Sequence, residues 1–170
     1  MERETVPKSK ESAGSRAALN ITGVAGEYFV AAELSRRGWI ATVTLKNTPM
    51  IDVMATKQDA KRTVLIQVKT RSIGNRKGWV FGKGIEQKVK RQNSYVILVD
   101  LKAVNENPDY FIIPKNVFAD WIAEGHQKSL NTSGRDGQPH IDNPIRCLSQ
   151  RDCKYFEKYR NRWEILDTGQ

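Results

Sequence analysis

Three polar residues on two short apolar stretches are the groups in this chain best placed to do chemistry. Asp52 lies in Met50-Ile51-Asp52-Val53-Met54-Ala55, and Gln67 and Lys69 lie near the end of Val64-Leu65-Ile66-Gln67-Val68-Lys69-Thr70. The second stretch is a β-branched run, and the polar segment Lys57-Gln58-Asp59-Ala60-Lys61-Arg62 joins the two as a hairpin connection would. Strand side chains alternate faces, so Val64, Ile66 and Val68 share one side, and Leu65, Gln67 and Lys69 the other. An amide and an ammonium about 7 Å apart on a buried strand are costly unless they find partners, and an acid on the neighbouring strand is one. An acid, an amide and an ammonium gathered in this way make a polar site. The plain structural alternative is an Asp52–Lys69 ion pair within the sheet, a poor stabiliser because both charges must leave water.

The elements that must hold these groups follow from the flanking pattern. Residues 24–37 read as a helix, capped by Asn20 or Thr22 and stopped by Gly38. Glu27, Ala31 and Leu34 fall on one stripe of it, so Glu27 is the single acid on the apolar face. The ordinary alternative is that Glu27 sits at the margin and solvates the first turn. Residues 39–45 alternate as a first strand, Lys46-Asn47-Thr48-Pro49 makes a turn, and the Asp52 strand follows. A helix over 85–92, a buried strand over 95–99, a strand over 109–114 and a short helix over 117–123 capped by Asn116 complete the pattern.

Residues 1–17 read as a flexible tail and 18–170 as a single domain, interrupted by a long Gly, Ser, Asn and Pro-rich loop at about 125–144. Ser149 with Asp152 three residues on has the form of a capping box, after which Tyr155, Phe156, Tyr159 and Trp163 dock the C-terminal segment. His126 and His140 fall in the loop and read as surface histidines.

A net charge of +9 favours a polyanionic partner. Arg71, Arg76, Lys77, Lys83, Lys88, Lys90 and Arg91 follow the Gln67/Lys69 strand, with Glu86 the one acid among them, and form the candidate phosphate-binding segment. Trp79 and Phe81 within it either stack on bases or enter the core. No apolar run approaches the ~20 residues of a membrane span, and no signal peptide is visible. Cys147 and Cys153 fit neither a disulfide framework nor a zinc pattern, so an intracellular setting is expected.

A helical Glu27, then Asp52 on one strand, then Gln67-Val68-Lys69 on the next, resembles the PD-(D/E)XK nuclease superfamily. The opening Gly23-Val24-Ala25-Gly26-Glu27 resembles archaeal Holliday-junction resolvases. The resemblance covers residues 20–99 and implies an α/β fold: a restriction-endonuclease-like core in the order αβββαβ, a mixed central sheet flanked by helices. Two positions depart from the pattern. Ile51 precedes Asp52 in place of proline, and Gln67 stands where Asp or Glu is usual, as in Gln-x-Lys variants among restriction and homing endonucleases.

The resemblance implies a metal-dependent DNA endonuclease hydrolysing phosphodiester bonds, either structure-specific or of restriction or homing type. The alternative is a catalytically inactive nucleic-acid-binding protein of the same fold. Asp52, the Gln67 side-chain oxygen and the Val68 backbone carbonyl would hold Mg²⁺ or Mn²⁺, Lys69 would orient the attacking water, and Glu27 would hold a second ion or a water beside the first. Two carboxylates instead of three imply weaker metal binding. DNA is the expected partner, with RNA an open alternative, and cutting both strands calls for a homodimer.

Overall fold

A computed structural model describes residues 8–45, 50–75, 78–133 and 137–168, with the backbone alone for 8–19 and 150. Helix α1 (Lys8–Arg36) is followed by strands β1 (Trp39–Val43), β2 (Val53–Lys57), β3 (Thr63–Arg71), β4 (Trp79–Gly82), β5 (Ser94–Asp100) and β6 (Asp109–Pro114). Helix α2 (Lys115–Leu130), strand β7 (Ile145–Leu148), a 3₁₀ helix over Gln150–Tyr159 and the short α3 (Ile165–Thr168) complete the chain. The main sheet has the order β1-β2-β3-β5-β6, and a two-stranded sheet pairs β4 with β7. Only β3 and β5 run parallel within the five-stranded sheet, which is therefore mixed and flanked by helices, as expected. No helix among the described residues is long and apolar enough to cross a membrane.

The alternation read from the sequence builds two cores on the two faces of this sheet. On one face Val64, Ile66 and Val68 of β3 pack with Val30 and Leu34 of α1 and with Trp163 and Leu166. On the other, Val96, Leu98, Phe111 and Ile113 pack with Phe118 and Ile122 of α2 and with Trp79 and Phe81 of β4. Strand β5 is buried from Tyr95 to Asp100, which explains why it reads as an unbroken apolar run.

Several boundaries differ from the sequence reading. Helix α1 starts at Lys8, within the stretch expected as tail, and runs through Asn20 and Thr22, which are interior residues and not caps. The Ala-rich composition before Asn20 favours helix without supplying the apolar stripe by which the sequence reading recognises one. The helix expected over 85–92 is a single 3₁₀ turn over Lys83–Glu86, so the crossover from β3 to β5 is made by a strand and a turn. Helix α2 continues to Leu130, taking in Gly125 and His126 from the expected loop. Asn116 caps nothing. Its side chain accepts from Val89 N–H (2.8 Å) and donates to the Val89 carbonyl (2.9 Å), as a neighbouring strand would. The capping box at Ser149 forms, with Ser149 N–H donating to Asp152 Oδ2 at 3.0 Å. Phe156, Tyr159 and Trp163 dock as expected, while Tyr155 stays exposed. The turn expected over 46–49 lies outside the described residues.

One contact sets how closely α1 approaches the sheet. A Cβ at Gly26 would lie 1.8 Å from Thr70 Oγ1 and 2.9 Å from Thr70 Cβ, so rotating the threonine side chain does not clear it. Gly26→Ala is expected to lift α1 from β3 and destabilise the protein by about 1–3 kcal/mol, the usual cost of overpacking. Chemical denaturation checks this; an unchanged unfolding midpoint would mean the helix is not held at this distance.

Candidate active site

The site forms where β2 separates from β3. Their ladder ends at Val53 opposite Ile66, after which Asp52 N–H donates to the Ile66 carbonyl at 2.9 Å. One step further, Asp52 Oδ2 accepts from Val68 N–H at 2.7 Å, so the carboxylate takes the place of the next strand carbonyl. Thr44 holds the divergence open: its N–H donates to the Asp52 carbonyl at 2.9 Å and its hydroxyl to the Ile51 carbonyl at 2.6 Å. Just before it, Met50 has φ of 61°, a left-handed conformation that costs a non-glycine residue about 1 kcal/mol or more. This strain lies two residues from the carboxylate.

The backbone groups of β3 alternate edges. Leu65 N–H bonds to the Asn93 carbonyl and the Arg71 carbonyl accepts from Leu101, both toward β5, while the Ile66 carbonyl and Val68 N–H face β2. N–H and C=O of one strand residue project to the same edge, so the Val68 carbonyl also lies on the edge that Asp52 occupies. Gln67 and Lys69 project from the face opposite α1 and line a small cavity of about 170 Å³ with Met50, Phe81, Gly82, Gly84 and Ile85. Gln67 Oε1 is buried and, among the described residues, has no hydrogen-bond partner. Among the described residues no ion pair joins Asp52 to Lys69: the acid is held by Val68, and the lysine faces the cavity.

Asp52, Gln67 and Val68 are therefore neighbours on adjoining strands, with Lys69 beside Gln67 on the cavity. Glu27 is half-buried on α1, one residue beyond the Gly26–Thr70 contact, on the helix that covers the other face of β3. It does not line the cavity.

The basic segment divides. Arg71 is not a surface group: it is 7% exposed, donates to Asp100 through Nε (2.7 Å) and Nη2 (2.6 Å), and lies 4.4 Å from the centre of the Trp79 ring. A bidentate internal acid outcompetes a distant phosphate, so Arg71 leaves the phosphate-binding set. Trp79 and Phe81 are buried in the second core and cannot stack on bases. Lys83, Lys88, Lys90 and Arg91 are exposed; Lys83 Nζ lies 3.5 Å from Asp142 and Lys88 Nζ 2.7 Å from Asp120. Arg76 and Lys77 lie outside the described residues.

The sequence reading missed the cavity wall opposite Gln67 and Lys69. Lys115 is 4% exposed and its Nζ donates to the Ile85 carbonyl at 2.5 Å; burial pushes its pKa down. Arg146, equally buried, pairs with Glu86 and donates to the Asn143 carbonyl at 2.5 Å. The Lys115–Ile85 and Arg146–Glu86 contacts fix residues 83–86, and no local pattern signals them, because each joins segments 30 or more positions apart.

A larger groove, about 990 Å³, runs between α2 and residues 140–147. It contains none of the candidate residues. His126, on its wall, is hydrogen-bonded through Nε2 to Asp142 at 2.8 Å, and among the described residues no three His, Cys, Asp or Glu groups converge as metal ligands.

Neither a family model nor a curated protein matches the sequence. Among solved structures, that of a bacterial homing endonuclease, I-Ssp6803I, superposes with a TM-score of 0.52 at 14% identity, over 88% of this chain and 94% of that one. The chain has a nuclease-like fold. At this identity the likeness concerns architecture alone. Within the nuclease-like fold, Asp52 and Gln67-Val68-Lys69 stand on adjoining strands, joined by the hydrogen bond from Val68 N–H to the Asp52 carboxylate.

Proposed function

We propose that the chain is a divalent-metal-dependent DNA endonuclease of the PD-(D/E)XK type, with Asp52, Gln67 and the Val68 carbonyl as oxygen ligands. The observation that carries this reading is the buried, unpartnered Gln67 Oε1 on the strand to which the Asp52 carboxylate is tied. A buried acceptor without a donor is costly, and a hard cation satisfies it. One carboxylate and two neutral oxygens suit Mg²⁺ or Mn²⁺, which keep several waters of their own. When bound, the cation supplies positive charge against the phosphate and makes water a better nucleophile at neutral pH.

The chain's own residues do the rest. Val68 N–H fixes the Asp52 carboxylate through Oδ2, a bond that does not occupy Oδ1. The Lys69 ammonium attracts the negative charge that builds on the attacking and phosphate oxygens, an effect strengthened in a partly dry cavity. Glu27 acts from the far side of β3, so its replacement by glutamine is a milder change than any at Asp52 or Lys69. Cutting both strands requires two copies, and a two-fold dimer is the simplest arrangement.

The test is incubation with duplex, branched and single-stranded DNA and with RNA, in Mg²⁺ or Mn²⁺ and in excess chelator. Metal-dependent nicking is expected, and the preferred substrate separates a junction-resolving from a restriction or homing role. Tight binding with no cutting in either metal would favour a binding protein of the same fold.

Lys90 and Arg91 are exposed and, among the described residues, form no ion pair with an acid, so they should reach phosphates. Replacing both with alanine is expected to weaken binding to all sequences alike and to reduce the slope of log affinity against log salt by about 2. Titrations at several salt concentrations read this directly. An unchanged slope removes the segment from the interface.

A further inference from the structure

Helix α1 is apolar on the side that faces away from the sheet as well as on the side that packs against it. Gly26, Val30 and Leu34 are buried and mark the inner face. At about 100° per residue, Ile21, Ala25, Tyr28 and Ala32 fall within about 60° of one another on the opposite side, with Val24 and Phe29 flanking them. This i, i+3, i+4, i+7 spacing is the one by which a helix enters a core. Yet Ile21 is 70% exposed, Tyr28 64% and Phe29 42%. Residues 21–32 hold one charged residue, Glu27, in a chain that is 28% charged, and it lies toward the inner face, about 60° from Val30. Tyr28 and Phe29 alone leave roughly 200 Å² in water, since an aromatic side chain offers about 150–250 Å². With Ile21 beside them, the patch has the size at which an apolar surface is commonly functional.

An uncharged face gives phosphates nothing to hold, so DNA is not its cover. A helix that is apolar on both sides belongs in an interior, and a second helix with the same spacing supplies one. The face matches itself. A two-fold axis crossing α1 at the level of Gly26 and Glu27 sets Ile21 against Ala32 of the partner subunit, Val24 against the partner's Phe29 and Ala25 against the partner's Tyr28. In each pair a larger side chain meets a smaller one, as interlocking helix faces require. All six positions find their mates within the same stretch, a property that an unrelated partner does not need. We propose that a second copy of this chain covers the outward face of α1, the two helices running antiparallel across a two-fold axis. The inference rests on the nuclease reading for the need for two copies, and it gives that pair its contact surface.

The test is sedimentation of the full chain over a range of concentrations, without metal or DNA, for wild type, Tyr28→Lys and Tyr28→Glu, with circular dichroism alongside. One helix pair is a small interface, so the wild-type dimer should have micromolar strength. Position 28 of the two copies is offset by only about 4.5 Å along the paired helices, because the axis passes one and a half residues away. Each variant alone therefore brings like charges together in an apolar contact and should dimerise at least about tenfold more weakly, with an unchanged spectrum since Tyr28 is exposed. An equimolar mixture of the two variants should regain most of the lost association, because opposite charges then meet. A wild-type protein that stays monomeric at its highest soluble concentration would overturn the proposal. So would dimers of unchanged strength in both variants, or a mixture that associates no better than either variant alone. Because association is read without metal or DNA, a dimer that cuts nothing removes the nuclease reading and leaves the interface, whereas a monomer that cuts removes the interface alone.

Discussion

Replacing Lys69 with alanine is expected to reduce DNA cleavage on the order of 100- to 1,000-fold while leaving the fold intact. The magnitude is that of removing one preorganised group that faces charge developing in a transition state. Stability should hardly change, because Lys69 faces a cavity and is not paired to Asp52. Asp52→Asn is the informative companion. Asparagine keeps an oxygen that accepts from Val68 N–H, so the junction between β2 and β3 survives, but it removes the one formal negative charge on that edge. Cleavage should fall at least as far as in Lys69→Ala, and raising the metal concentration should recover part of it. Steady-state cleavage of a supercoiled substrate, with melting temperatures alongside, reads both. Activity within tenfold of wild type in the lysine variant would sink the assignment of Lys69.

The largest loss of stability is expected at Asp100. Its two oxygens accept from Arg71 at 2.7 and 2.6 Å, Lys102 Nζ lies 2.8 Å away, and both members of the central pair are buried. Asp100→Ala leaves the Arg71 guanidinium inside the protein without its acid, which costs about 3–5 kcal/mol. For a chain of this length that is a drop in Tm of about 10 °C. Arg71→Met combined with Asp100→Leu should be much less damaging, because no charge then stays buried.

The pH dependence has a definite sign. Burial pushes the Asp100 carboxyl up, but hydrogen bonds from Arg71 and Lys102 outweigh it and hold its pKa below the ordinary value. Asp109, bonded to Arg160 and Lys102, is lowered for the same reason against the same burial. A depressed folded-state pKa gives stability that is present above the unfolded value, about 3.9, and is lost as pH falls through the folded one. The difference between wild type and Asp100→Ala should therefore be constant near neutrality and shrink below about pH 4. A constant difference down to pH 2 would show that the pair does not govern acid sensitivity.

Arg71 shows how far local sequence reaches. By itself the sequence determined the alternation of β3, the hairpin that brings Asp52 opposite Gln67 and the capping box at Ser149, since each depends on residues a few positions apart or on a repeat of two. It did not determine which basic residues face water, because Arg71 finds its acid 29 positions away on a parallel strand. Burial of Trp79 and Phe81, the clamp of Asn116 on Val89 and the anchoring of residues 83–86 by Lys115 and Arg146 are likewise contacts between distant segments.

One feature of the site also needed the third dimension: the free Gln67 Oε1 is a property of what surrounds it. Periodicity fixes which face a side chain takes, because backbone geometry repeats along the chain. Partners and empty space are decided by packing between segments that the chain brings together only on folding.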